Sequence, residues 1–271
     1  MDTTRRKFLK LAGATALASA ALPAGFQLTP KDAFAGASHG GHGEAEAHQG
    51  THLGMVIDMR KLYGKPELLD KAINACNEVH NIPQIKNEDG TPDTKSEIKW
   101  LFKVPFENAF VEHSQFHKDN KTLENDFLVL CNHCAEPPCV RVCPTKATFV
   151  NETNGVVAMD YHRCIGCRFC MVACPYGARS FNWEDPRPHI EKYNRDFASR
   201  TRGVVEKCNF CSERLPLGQE PACVEALKET GALIFGDLND PNSEIVNVLK
   251  NNPTIQRKPS LGTKPSVFYI V

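Results

Sequence analysis

The cysteines constrain this chain more than any other feature. Of twelve cysteines in 271 residues, eleven fall into three spaced groups. Cys131, Cys134, Cys139 and Cys143 read C-x2-C-x4-C-x3-C-P; Cys164, Cys167, Cys170 and Cys174 read C-x2-C-x2-C-x3-C-P; Cys208, Cys211 and Cys223 read C-x2-C-x11-C; Cys76 stands alone. A loop with two-residue gaps can curl round a multi-iron centre and offer three thiolates, so the fourth must come from elsewhere. In the bacterial two-cluster arrangement, two such runs exchange their last cysteines between two [4Fe-4S] clusters. That exchange assigns Cys131, Cys134, Cys139 and Cys174 to a first quartet, and Cys164, Cys167, Cys170 and Cys143 to a second. Pro144 and Pro175 follow the crossing cysteines, where a fixed φ and a missing backbone donor favour a turn away from the cluster.

An internal repeat brings in the lone cysteine. The segment from Met55 to Leu62 aligns with that from Val157 to Cys164, which puts Leu62 in the place of a first cluster cysteine. Pro221-Ala222-Cys223-Val224-Glu225-Ala226-Leu227 aligns with Pro137-Pro138-Cys139-Val140-Arg141-Val142-Cys143, which puts Leu227 in the place of a crossing cysteine. If the outer segments mirror the inner ones, the missing positions are the four ligands of one lost cluster. The positions kept are Cys208, Cys211, Cys223 and Cys76, a third quartet. Twelve thiolates then hold three [4Fe-4S] clusters with none left over. The competing reading of Cys76 alone is a core cysteine, because Leu69, Ala72, Ile73 and Cys76 share one face of a helix expected to start near Pro66.

Other accounts of the cysteines fit less well. Close C-x2-C neighbours are poorly placed for structural disulfides, although an exported chain would be open to them. Zinc suits C-x2-C pairs but seldom the C-x2-C-x2-C-x3-C-P run. Attached c-type haem needs a histidine after the second cysteine, and none of the pairs has one. The chain shows no Ser-His-Asp constellation, no phosphate-binding glycine loop and no paired carboxylates, so no substrate site is expected. His113, His117, His133 and His162 read as surface residues or residues one layer behind the ligands.

The N-terminus points to export. Thr4-Arg5-Arg6-Lys7-Phe8-Leu9-Lys10 precedes a moderately apolar stretch, and Ala33-Phe34-Ala35 offers a cleavage site, the form of a twin-arginine signal over residues 1–35. Export in the folded state reconciles ligated thiolates with an oxidising compartment. Without residues 1–35 the chain has 27 basic and 30 acidic side chains, which gives no case for nucleic acid. No later stretch approaches the roughly 20 apolar residues of a membrane span, so any membrane association is expected through partners. Residues 36–53, with His39, His42, His48 and His52, read as a flexible leader.

Residues 54–271 then form the folded body. The expected class is α+β, with tandem bacterial ferredoxin-like pseudo-repeats in which short hairpins and helices surround the cluster loops. An inner two-cluster module is expected over about residues 127–184, and an outer one-cluster module from about 54–81 plus 203–236. Strand signals lie at residues 127–130, 147–150, 155–158 and 180–183, and a capped helix opens after Asp240 and ends near Asn251. Residues 82–126 have no cysteine and read as an insertion or a partner-facing surface.

Cys131-Asn132-His133-Cys134, Pro138-Cys139-Val140-Arg141-Val142-Cys143-Pro144, His162-Arg163-Cys164-Ile165-Gly166-Cys167-Arg168-Phe169-Cys170 and Glu206-Lys207-Cys208-Asn209-Phe210-Cys211 together resemble the four-cluster electron-transfer subunits of molybdopterin, polysulfide and nitrite reductase complexes. The resemblance covers roughly residues 53–236. The export signal, Ile98-Lys99-Trp100, Pro186-Arg187-Pro188, residues 201–208 and residues 258–265 further resemble the periplasmic DsrO-type subunits of the sulfite-reduction-associated transmembrane complex. The missing quartet departs from the four-cluster pattern. The resemblance implies electron transfer without a substrate site, on the outer face of the cytoplasmic membrane. It also implies an NrfD-type, quinone-interacting membrane subunit and a multihaem cytochrome c subunit as partners. The small subunit of a soluble molybdoenzyme and a zinc-stabilised binding module are the competing readings.

Overall fold

The computed structural model describes residues 50–112 and 120–271. The expected signal peptide, most of the leader, His113 and His117 lie outside the described residues. The described residues form one compact unit.

Among the described residues, nine strands make four small sheets. The largest has β1 (Leu53–Asp58) at its centre, antiparallel to β8 (Leu233–Asp237) and parallel to β9 (Val267–Ile270). A central strand buried on both faces must be apolar along its length, and Met55, Val56 and Ile57 supply that. Met55 and Ile57 join the main core, while Val56 packs on the other side with Ile234, Ile245 and Ile270. β2 (Leu101–Pro105) pairs with β3 (Asp126–Leu130), β4 (Thr148–Val150) with β5 (Val157–Met159), and β6 (Ser180–Phe181) with β7 (Val205–Glu206), all antiparallel.

Five helices matter for the sites: α1 (Pro66–Val79), α2 (Pro138–Arg141), α3 (Phe169–Ala173), α4 (Ala222–Ala226) and α5 (Glu244–Asn251). Proline opens α1, where its missing N–H costs nothing, and Leu69, Ala72 and Cys76 form its buried face. Ser243 caps α5 by accepting from the Val246 N–H at 3.4 Å. α2 packs on α3, and α4 packs on α1. The hairpin β4–β5 and the pair β8–β1 stand in the same relation, so the repeat read from sequence has a counterpart in strand pairing. The mixed α+β fold is the one expected.

Two expectations change. The leader does not run to residue 53: the His52 N–H donates to Asp237 Oδ1 at 2.7 Å, and Leu53 already belongs to β1. Closing the central sheet needs those residues. Residues 82–126 are not merely an insertion or a surface, because Trp100, Leu101, Phe106 and Phe110 are buried and β2 flanks the strand that leads into Cys131. No helix among the described residues is long and apolar enough to cross a membrane.

Candidate metal centres

All twelve cysteines are free thiols. β3 delivers Cys131 from the core, and His133 adopts a left-handed φ of 42° that curls the chain back toward Cys134. α2 carries Cys139. These three line a cavity together with Cys174 from the second loop, with Pro138, Pro175, Tyr176 and Arg179 also in its wall. The C-terminal tail clamps this loop: Ala135 N–H donates to Lys264 O at 2.9 Å and Ser266 N–H to Asn132 O at 2.8 Å. Nothing in the sequence pattern signals that role of the tail.

A second cavity is lined by Cys164, Cys167 and Cys170 together with Cys143 from the first loop. Each cavity thus brings three cysteines of one loop to the last cysteine of the other. Cys143, Cys164 and Cys167 are partly exposed, so this cavity lies nearest solvent.

Cys76, Cys208, Cys211 and Cys223 are all buried and lie near one another. Phe210 and Cys211 take consecutive left-handed φ values of 54° and 51°, which bends the chain sharply inside the C-x2-C pair. The Ala222 N–H donates to Cys211 Sγ at 3.3 Å and the Phe210 N–H to Cys208 Sγ at 3.5 Å. His80, buried against Trp100, has Nδ1 at 3.5 Å from Cys76 Sγ and Nε2 at 3.0 Å from Glu213 Oε1. His80, Cys211 and Glu213 present ligand atoms within 4.8 Å of one another. Leu62 and Leu227, which stand where cysteines of a lost quartet would be, are both in the main core.

Burial dominates the electrostatics. It pushes the Cys76 thiol well up, and Cys208, Cys211 and Cys223 add to the rise. Burial and then Cys131 push Cys134 up to about 12, and burial and then Cys208 push Cys223 up to about 12. Cys143 is the exception: burial works against its thiolate, but hydrogen bonds at Thr148, Thr145 and Ala147 outweigh it and lower the pKa. His133 of the first loop stacks on Phe210 of the third, which sets the first quartet beside the third. Cys139 packs in one hydrophobic cluster with Cys170, which sets it beside the second as well. The first quartet is the middle one.

The surroundings fit anionic clusters. Arg179 is buried with Nη2 donating to Cys139 Sγ at 3.0 Å and to Thr148 Oγ1 at 2.8 Å, and no ion pair with a carboxylate forms there among the described residues. Lys207 is fully buried and donates to the carbonyls of Cys208, at 2.7 Å, and Val157. A buried cation without an anion costs several kcal/mol, as an order of magnitude, and a thiolate-bound cluster would supply the missing counter-charge. Asn132 Nδ2 and His133 Nε2, both in the first loop, are buried without a hydrogen-bond partner. His133 stacks on Phe210 with centroids 3.7 Å apart and accepts from the Val157 N–H; burial first, then Lys207 and Arg179, hold its pKa well below the ordinary value. His162 is exposed. Sequence reasoning missed Arg179 and His80 as site residues, and quoted Lys207 only within a motif. Adjacency to Cys208 was the one available signal.

Residues 126–192, which hold the eight inner cysteines, match the 4Fe-4S dicluster domain. The whole chain is similar to an Hdr-like menaquinol oxidoreductase iron-sulfur subunit 1 from Archaeoglobus fulgidus, with 37% identity over 98% of this chain and 97% of that protein. It is also similar to a menaquinone reductase iron-sulfur cluster-binding subunit from Nitratidesulfovibrio vulgaris, with 36% identity over 80% of this chain and 88% of the relative. The arsenate respiratory reductase iron-sulfur subunit ArrB of a Shewanella species is 33% identical over 80% of this chain and 95% of its own length.

Proposed function

The chain belongs to the ferredoxin-like 4Fe-4S iron-sulfur subunits of membrane-bound respiratory reductase complexes, and we propose that it is a three-cluster relay linking a quinone-interacting membrane partner to a cytochrome. Electron transfer through 4Fe-4S clusters is the family's work, and each bound cluster passes single electrons. The reading assigns Cys131, Cys134, Cys139 and Cys174 to one cluster, Cys164, Cys167, Cys170 and Cys143 to a second, and Cys208, Cys211, Cys223 and Cys76 to a third.

The observation that carries it is the pair of cavities, each walled by three cysteines of one loop and one of the other. The C-x2-C-x2-C-x3-C-P run, with its closely spaced thiolates, suits a multi-iron cluster better than a single zinc ion. The chain's part is to hold thiolates at fixed spacing, to donate N–H groups to sulfur and to keep two of the three sites dry. The inner module, about residues 127–184, would carry two clusters, and the outer module, from about 54–81 plus 203–236, the third.

The partners in this reading are an NrfD-type membrane subunit and a multihaem cytochrome c subunit on the outer face of the membrane, reached by twin-arginine export. The menaquinol and menaquinone in the names of two relatives favour the quinone side. The DsrO-type motifs favour a link to sulfite reduction. Isolation of the intact complex in mild detergent tests it. Covalent haem without molybdenum, and appearance of the chain's EPR signals on adding menaquinol, are expected. Molybdenum without haem would instead make this the small subunit of a molybdoenzyme.

A further inference from the structure

Four cationic side chains are buried among the described residues: Arg179, Arg200, Lys207 and Arg257. Arg200 pairs with Glu206 at 2.7 Å, whereas the other three form no ion pair with a carboxylate. Their places are not random. Arg179 lines the first cavity and bonds Cys139 of the first quartet. Cys139, which it bonds, packs in one hydrophobic cluster with Cys170, so Arg179 stands beside the second quartet too. Lys207 holds the carbonyl of Cys208, a third-quartet cysteine, and that of Val157, which lines the first cavity. Arg257 lies across the Tyr176 ring, 5.6 Å from its centroid, one layer outside the same cavity.

A thiolate-bound cluster is an anion that gains one more negative charge on reduction, so a nearby fixed cation favours the reduced state. In a low-dielectric interior that pull is little screened. The second quartet shares Arg179 and has Arg168 in its wall, but Arg168 is exposed and water reaches the ligands, which screens that charge, and the site has neither Lys207 nor the direct arginine bond to sulfur. The third shares Lys207, but Glu213 stands beside it, its Oε1 at 3.0 Å from His80 Nε2 and its Oε2 accepting from Asn209 Nδ2 at 2.9 Å, and a carboxylate there opposes reduction.

On the three-cluster reading above, we propose that Arg179 and Lys207 set the order of reduction: the middle cluster, held by Cys131, Cys134, Cys139 and Cys174, takes the first electron, with Arg179 shared with the second site and Lys207 with the third. The relay is then a well with a rise on either side. An electron entering at either end rests in the middle until a partner draws it out.

An EPR-monitored redox titration of the loaded full-length chain, with dithionite as the one-electron donor, tests this. Signals are assigned by which of them Cys134→Ser, Cys167→Ser or Cys211→Ser alters. The signal altered by Cys134→Ser should appear first. Arg179→Gln should disfavour reduction at least tenfold, about 59 mV for a one-electron couple, at the first and second sites while sparing the third. Lys207→Met should do so at the first and third while sparing the second, and Arg179→Lys should restore the original order. A middle cluster reduced last or second overturns the proposal even if no variant assembles. So do midpoints unmoved by loss of either charge, which would mean that neither cation acts on the clusters. Fewer than three assignable signals in the parent protein would instead sink the cluster reading itself.

Discussion

Cys76 is the residue on which the third site turns. It lies on the buried face of α1, 132 residues before Cys208, and its thiol is enclosed with those of Cys208, Cys211 and Cys223. As a ligand it ties the start of the body to its end, and cluster binding becomes folding energy through closure of that loop. Cys76→Ala should lose about four irons and leave the inner two EPR signals intact; a core cysteine would cost only a small cavity and no iron. If all iron is kept, His80 or Glu213, both within reach of Cys211, takes the ligand's place. A second expectation follows from the thiols. Loading must remove protons from cysteines whose pKa burial has raised, so iron uptake by the cluster-free chain should strengthen with rising pH. The second site, where Cys143 is lowered, should fill at the lowest pH and the all-raised third site last; stepwise loading followed by EPR reads the order. Cys76 was legible because counting unpaired positions needs only sequence. Arg179 and His80 were not, because an arginine or histidine shows its burial only once distant segments close over it.

The loops between cysteines carry the site geometry at the level of elements. Gly166, in the Cys164-Ile165-Gly166-Cys167 turn, has a φ of 70°, and a Cβ there would meet the Gly203 carbonyl oxygen at 2.4 Å. Neither the left-handed conformation nor the backbone contact can absorb a methyl group. Gly166→Ala should therefore weaken or abolish the second cluster's EPR signal, with the first and third retained; three undisturbed signals would show that the turn has slack. The short elements around these loops were readable because turn residues and β-branched runs mark them, as at β4, β5 and α5. The long cysteine-free stretch was not. Trp100, Phe106 and Phe110 are buried by partners as distant as Phe197 and Tyr269, and no local period announces that.

Among the described residues, the two ends of the body meet at β1. It receives β8 on one side and the C-terminal β9 on the other, while α1 meets α4. The β8–β1 pairing repeats the inner hairpin β4–β5, so the repeat read from sequence carries over to it. The repeat did not foretell β9, whose parallel docking has no inner counterpart, nor the tail's hold on residues 132–136. Where a fourth cluster's ligands would stand, Leu62 and Leu227 instead pack in the main core. The count of clusters is therefore the central claim, and elemental analysis of anaerobically loaded protein tests it most directly. The account predicts about twelve iron and about twelve labile sulfide per chain; about sixteen would mean that a fourth cluster forms in spite of the leucines, and about eight that Cys76 and its three companions hold none.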